Sequence, residues 1–157
     1  MISFSNHQST IINQQSIVGE TVMLSNHQST IINNQSTLRI LLVEDNRIYR
    51  EAFKDNLRQH FPSMVIDEAA TAEEALPKIK GTPPQLIFID IRLPGMNGLQ
   101  LTQKIKRDFP NIRIAIVTGY DIPEYRQAAT QYGADRFFVK ESLNWEEIDA
   151  LVKEVSV

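Results

Sequence analysis

Gln85-Leu86-Ile87-Phe88-Ile89-Asp90 passes through an unbroken run of large apolar residues and stops on a single carboxylate; Ile91-Arg92-Leu93-Pro94-Gly95-Met96-Asn97-Gly98-Leu99 follows. A short, uninterrupted apolar run is the mark of a strand covered on both faces, as in a parallel sheet. The Pro94-Gly95 pair turns the chain sharply. Asp90 is thereby predicted to stand at the carboxyl edge of a sheet, where a carboxylate can serve as a nucleophile or a metal ligand.

Working outward, the same alternation of apolar runs and amphipathic stretches recurs. Arg39-Ile40-Leu41-Leu42-Val43 reads as a first strand and closes on Glu44-Asp45-Asn46. Arg47 to His60 reads as a helix with apolar positions Ile48, Ala52, Phe53 and Leu57. Met64-Val65-Ile66 is a second strand, and Thr71 opens a helix with Glu73 and Glu74 in its first turn. Leu86 to Ile89 is the third strand, Asn97 to Phe109 the third helix, and Ile112 to Val117 the fourth strand. A helix opens at Asp121-Ile122-Pro123 and ends near Gly133. Arg136-Phe137-Phe138-Val139 is the fifth strand, and Asn144 caps a last helix from Trp145 to about Val155. Five strands, each followed by a helix, imply an α/β fold: a doubly wound parallel sheet with helices on both faces.

Such sheets bind ligands beyond the carboxyl ends of their strands. The residues at those ends are Glu44 and Asp45, then Asp90, Thr118-Gly119 and Lys140. If the first and third strands are neighbours, the acids lie within one strand spacing, about 4.8 Å. Carboxylates that close repel, and a divalent cation removes the conflict. Mg²⁺ accepts one or two carboxylates at about 2.1 Å and keeps water or phosphate oxygens. Lys140 reaches across as a positive point charge, Thr118 supplies a hydroxyl, and Gly119 leaves room for a phosphoryl group. Acid, metal, lysine and hydroxyl together suit in-line phosphoryl transfer.

The ordered set resembles the receiver domain of bacterial two-component response regulators, over about Leu38 to Val155. It comprises Glu44-Asp45, the Asp90-x-x-Leu93-Pro94-Gly95-Met96-x-Gly98 motif, Thr118-Gly119, the aromatic Phe137, and Lys140. The resemblance implies a flavodoxin-like sheet of order 2-1-3-4-5. It implies that Asp90 accepts a phosphoryl group from a sensor histidine kinase or phosphotransfer protein. Mg²⁺ would be held by Glu44, Asp45, Asp90 and the backbone carbonyl of Arg92. Thr118, Gly119 and Lys140 would bind the phosphoryl group; Thr118 would rotate towards it, and Phe137 would follow inward. The communicating face would be about Asp121 to Val155, and phosphorylation could drive homodimer formation. Self-phosphorylation and self-dephosphorylation would be the only chemistry, so the chain would be no turnover enzyme. Its place would be the cytoplasm.

Some positions depart from the commonest pattern. Lys140 is followed by Glu141-Ser142 rather than proline, which looks more like the subgroup that carries helix-turn-helix outputs. Phe137 lacks the hydroxyl of the chemotaxis regulator's tyrosine, so its signal would pass by ring packing. Arg92 and Tyr120, each two residues beyond Asp90 and Thr118, would border the path of the attacking water, and Tyr120 is expected to crowd it. No helix-turn-helix pattern follows the last helix, so the downstream element is expected to be a separate protein or an output domain outside this sequence.

Other classes fit less well. A flavodoxin-like carrier needs a phosphate-cradling loop after the first strand, where Glu44-Asp45 would repel a flavin phosphate. A Mg²⁺-dependent phosphohydrolase working through an aspartyl-phosphate usually carries a second Asp where this chain has Arg92. A purely structural module would leave Asp90 unmodified.

Composition sets the outer bounds. The 157 residues carry a net charge of −3, so the overall field favours neither nucleic acid nor an anionic membrane. The chain has no cysteine, which excludes disulfides and thiolate chemistry. No apolar run approaches the roughly 20 residues of a membrane span. Residues 1–37 read as a polar Ser/Asn/Gln/Thr tail and 38–157 as the receiver domain. The tail repeats Ser5-Asn6-His7-Gln8-Ser9-Thr10-Ile11-Ile12-Asn13 as Ser25-Asn26-His27-Gln28-Ser29-Thr30-Ile31-Ile32-Asn33. Two copies are too few for a solenoid. A flexible tail is the simpler reading, and pairing of the Thr-Ile-Ile segments as strands is the sharper one.

Overall fold

The computed structural model describes residues 20–25, 28–33 and 37–156, and the chain divides into two units after residue 36. In the first unit, β1 (Glu20–Ser25) pairs antiparallel with β2 (Gln28–Asn33), with Val22 opposite Ile31 and Thr21 opposite Ile32. The second copy of the duplication therefore pairs with the segment before it. The first copy, with its Thr10-Ile11-Ile12, lies outside the described residues.

The second unit carries the expected sheet. Its strands are β3 (Arg39–Val43), β4 (Val65–Ala69), β5 (Leu86–Ile89), β6 (Arg113–Thr118) and β7 (Arg136–Val139). All are parallel, in the order β4-β3-β5-β6-β7, which is 2-1-3-4-5 within the sheet. The helices are α1 (Arg47–His60), α2 (Ala72–Gly81), α3 (Gly98–Asp108), α4 (Pro123–Gln131) and α5 (Trp145–Val155).

Alternation along each strand makes two cores. Leu41, Val43, Ile87, Ile89, Ile114 and Ile116 face α2, α3 and α4; Ile40, Leu42, Leu86, Phe88, Ala115 and Val117 face α1 and α5. Each buried Leu, Ile or Phe contributes about 1.5–3 kcal/mol, so a sheet that is apolar on both sides is stable only with both helical layers in place.

The helix starts follow local chemistry. Asn46 accepts from the Tyr49 N–H, Thr71 from Glu74, and Asn144 from Glu146. Asn97 and Gln100 form a reciprocal capping box that fixes the start of α3.

The structure corrects two readings. The inner face of α1 runs through Tyr49, Phe53 and Leu57, whereas Ile48 is 81% exposed and Ala52 is also exposed. Phe53 and Leu57 face inward as their spacing suggests, and Tyr49 takes the place on that face that Ile48 was expected to hold. The second strand spans Val65–Ala69 rather than 64–66, because it lies at the sheet edge. There Asp67 and Glu68 can reach solvent and basic partners, so an apolar run underestimates its length.

Candidate functional site

Strand pairing brings the acids together. Val43 pairs with Ile89, and the ladder continues one residue further: the Asp90 N–H donates to the Val43 carbonyl at 2.9 Å, and the Glu44 N–H to the Ala69 carbonyl at 3.0 Å. Glu44 and Asp90 thus leave neighbouring strands side by side, both buried, with exposed Asp45 above them. Ligand atoms of Glu44, Asp45 and Asp90 all lie within 4.8 Å of one another.

The loop after Asp90 folds back on the strand end. Leu93 and Gly98 N–H groups both donate to the Ile91 carbonyl, at 3.1 and 2.8 Å. Gly95 takes φ +72°, a region that favours glycine, and a Cβ at Gly98 would collide with the Asp90 carbonyl. The two glycines of the motif therefore hold the loop beneath the acid.

Lys140 follows β7 directly and crosses two strands to the acids. Its ammonium donates to Glu44 Oε2 at 2.5 Å and to Asp90 Oδ2 at 3.2 Å. Burial disfavours its charge, but the hydrogen bond to Glu44 and the field of Asp90 outweigh that and hold its pKa above the usual lysine value. Burial also raises the Glu44 carboxyl, against the hydrogen bonds from Lys140 and from the Asn46 N–H, and Asp90 pushes it the same way. Glu44 binds protons more tightly than an ordinary carboxylate while no further cation is present.

Thr118 ends β6, fully buried, and its Oγ1 accepts from the Tyr120 N–H at 3.4 Å. Gly119 is open: an added Cβ would meet no atom within 4 Å. Phe137 is half-buried against the α3–α4 core, with the Arg126 guanidinium 4.6 Å from its ring centroid. Arg126 is itself held by Asp121 at 2.5 Å. The Arg92 side chain turns over the Tyr120 ring.

Two residues of α1 escaped the sequence reading. The Tyr49 ring lies under the Lys140 ammonium, 4.2 Å from centroid to Nζ, and burial beside Glu44 and Asp90 pushes its hydroxyl up to about 12. Arg50 Nη1 donates to the Glu44 carbonyl at 2.6 Å. Their adjacency in sequence to the acids was the available signal, but which helix face turns inward was not.

The residues fit a hard divalent cation. The donors are all carboxylate oxygens, and Asp90 Oδ1 is buried with no hydrogen-bond partner among the described residues, an orphaned acceptor that a cation would satisfy.

The family model of the response regulator receiver domain matches residues 40–153. A protein-glutamate methylesterase/protein-glutamine glutaminase of Geobacillus kaustophilus is 37% identical over 68% of this chain and 31% of its own length. A transcriptional regulatory protein of Bacillus subtilis, YhcZ, is 31% identical over 67% of this chain and 49% of its own. The chain thus spans half or less of these two relatives. A CheY-like receiver domain from Methanospirillum hungatei superposes with a TM-score of 0.69 at 32% identity, covering 77% of this chain and 94% of the other. A LuxR-family regulator from an Aurantimonas species gives 0.70 at 30%, covering 77% and 86%.

Proposed function

The chain belongs to the response regulator receiver family, and from that premise we propose that Asp90 is its phosphoacceptor and that the cluster around it is a Mg²⁺-dependent signalling site. The observation that carries this reading is Lys140 bonded to both Glu44 and Asp90, with Asp45 in ligand range of the same acids. The donor is a phosphohistidine on a sensor kinase or phosphotransfer protein. An oxygen of Asp90 forms a bond to phosphorus as the phosphorus–nitrogen bond of the donor breaks, and the nitrogen keeps the electron pair.

In this reading Glu44, Asp45, Asp90 and the Arg92 carbonyl hold the cation, which offsets the charge of the acids and the incoming phosphoryl group. Lys140 moves its ammonium from Glu44 to a phosphoryl oxygen. Gly119 leaves the approach open, and Thr118 donates its hydroxyl once it gives up Tyr120. Phe137 then fills the space that Thr118 vacates, and the face built on α4, β7 and α5 changes for a downstream protein or an output domain. Residues 38–157 form the signalling unit, and 1–37 are a polar appendage to it. The chain acts in the cytoplasm, turns over no substrate of its own, and contacts no nucleic acid directly. No helix among the described residues is long and apolar enough to cross a membrane.

The test is incubation with Mg²⁺ and acetyl phosphate. One base-labile phosphoryl group per chain, lost in Asp90→Asn and in excess chelator, is the expected result. Hydrolysis of the donor with no phosphoryl group retained on the chain would instead indicate a phosphohydrolase, and labelling that persists in Asp90→Asn would overturn the assignment.

A further inference from the structure

We propose that Arg50 is a positioning residue of the divalent-cation site: it holds the peptide that joins the two adjacent acids, and Glu68 and Lys54 hold Arg50 in turn. The inference rests on the reading of Glu44, Asp45 and Asp90 as a cation site.

The contacts form a chain from α1 to the edge strand. Arg50 Nη1 donates to the Glu44 carbonyl at 2.6 Å, and its Nε donates to Glu68 Oε1 at 3.1 Å. Lys54 Nζ donates to the other oxygen, Glu68 Oε2, at 2.5 Å. The side chains of Arg50 and Lys54 are each only 16% exposed, so both are ordered against the protein rather than extended into water. Glu68 sits on β4 opposite Leu42, two residues before Glu44.

The carbonyl that Arg50 holds belongs to the peptide between Glu44 and Asp45. The bond to that carbonyl fixes ψ of Glu44, and a change in this angle alone would turn Asp45 away from its place beside Glu44. Glu44 has other restraints: its N–H bonds to Ala69, and its carboxylate accepts from the Asn46 N–H and from Lys140. Asp45 is exposed, and its carboxylate has no hydrogen-bond partner among the described residues. The place of Asp45 beside Glu44 therefore depends on the backbone that carries it, and two side chains grip that backbone: Arg50 at the Glu44 carbonyl and Glu44 Oε1 at the Asn46 N–H. The two-pronged guanidinium of Arg50 can bond a carbonyl and a carboxylate at once, which an ammonium on a shorter reach does less well.

The sign of the effect separates this role from plain electrostatics. A positive charge beside three carboxylates repels a cation, so removing it should tighten Mg²⁺ binding if charge were all that mattered. Removing a positioning residue does the opposite.

The experiment is calorimetric titration of MgCl₂ into the unphosphorylated full chain, for wild type, Arg50→Ala, Arg50→Lys and Glu68→Gln. Arg47→Ala serves as the charge control, since Arg47 pairs with Glu51 on the exposed face of the same helix. The expected result is binding weakened by about tenfold in Arg50→Ala, by less in Arg50→Lys and Glu68→Gln, and unchanged or slightly tighter in Arg47→Ala. Arg50→Ala binding as tightly as wild type, or more so, overturns the proposal. Should Arg50→Ala fail to fold, wild-type affinity in both Arg50→Lys and Glu68→Gln overturns it equally. Failure of wild type itself to take up Mg²⁺ would refute the cation site rather than the role of Arg50 within it.

Discussion

The Arg92 guanidinium lies 3.6 Å from the centroid of the Tyr120 ring, so the residues two beyond Asp90 and two beyond Thr118 close on each other across the mouth of the site. Tyr120 is 42% exposed, and a cation–π contact at such a rim is worth about 0.5–1 kcal/mol. If Asp90 is the phosphoacceptor, the pair is expected to border the path by which water reaches its phosphoryl group. Tyr120→Asn is expected to speed loss of the phosphoryl group by about three- to tenfold, a barrier change of up to ~1.4 kcal/mol. Timed decay of labelled protein after removal of the donor measures it, and an unchanged half-life would show that the stack does not screen the phosphorus.

Among the described residues, Lys140 is the cationic side chain that bonds the Glu44 and Asp90 carboxylates. Lys140→Met leaves Glu44 and Asp90 facing each other without it. A loss of about 1–3 kcal/mol is expected in the absence of Mg²⁺, with much of it recovered when Mg²⁺ is added. The pKa of Lys140 is raised on folding from 10.5, so its contribution is fully present below that value and fades as pH rises through the higher folded value. Melting curves of the two proteins should therefore differ by a constant amount through the neutral range and converge only in strong alkali.

Phe137 is gripped from α4 by Arg126, which Asp121 anchors. The guanidinium restrains a ring that has no hydroxyl of its own to hold it outward. Arg126→Ala is expected to shift the unphosphorylated protein towards an inward Phe137 by about two- to fivefold in population, the equivalent of ~0.5–1 kcal/mol. Aromatic NMR of Phe137 reads the rotamer balance directly, and an unaltered spectrum would show that Arg126 does not restrain the ring.

Asp135 joins three elements at the opposite end of the sheet. It accepts from Lys106 at 2.9 Å, from Arg113 at 2.7 Å and from the Ile114 N–H at 2.9 Å. Burial alone would raise its pKa, but the bonds from Lys106 and Ile114 outweigh burial and hold it below 3.8. A depressed acid stabilises the fold above its unfolded pKa and loses that contribution as pH falls through the folded value. Asp135→Asn should cost about 1–3 kcal/mol at neutral pH and progressively less below about pH 4. Chemical denaturation at several pH values checks both the size and the trend.

Local signals carried most of the fold. Leu86-Ile87-Phe88-Ile89 is buried at every position and forms a strand with the predicted bounds. Thr71 and Asn144 stand at the helix starts where the sequence places them, and Asn97, read as the first residue of its helix, is that helix's cap. These features depend on neighbours a few residues apart, and periodicity reports them. The polar Asp67 and Glu68 hide the length of the edge strand; they pair with Leu41 and Leu42 of β3, and Arg50, Lys54 and Lys78 from two helices partner their carboxylates. The apolar face of α1 was misread at Ile48 for a related reason: a helix turns the face that fits the sheet, and Tyr49-x-x-x-Phe53 fits the space above Phe88.

The amino-acid order by itself determined the five alternating units, the acids and the lysine at their ends, and the turn glycines beneath Asp90, because each is written in residues close along the chain. Only the folded arrangement decided that Arg50 grips the Glu44 carbonyl, that Tyr49 lies under Lys140, that Arg92 covers Tyr120 and that Arg126 covers Phe137. Those contacts join side chains from separate elements. Their partners follow from strand order, helix rotation and rotamer together, and no spacing in the sequence encodes that combination.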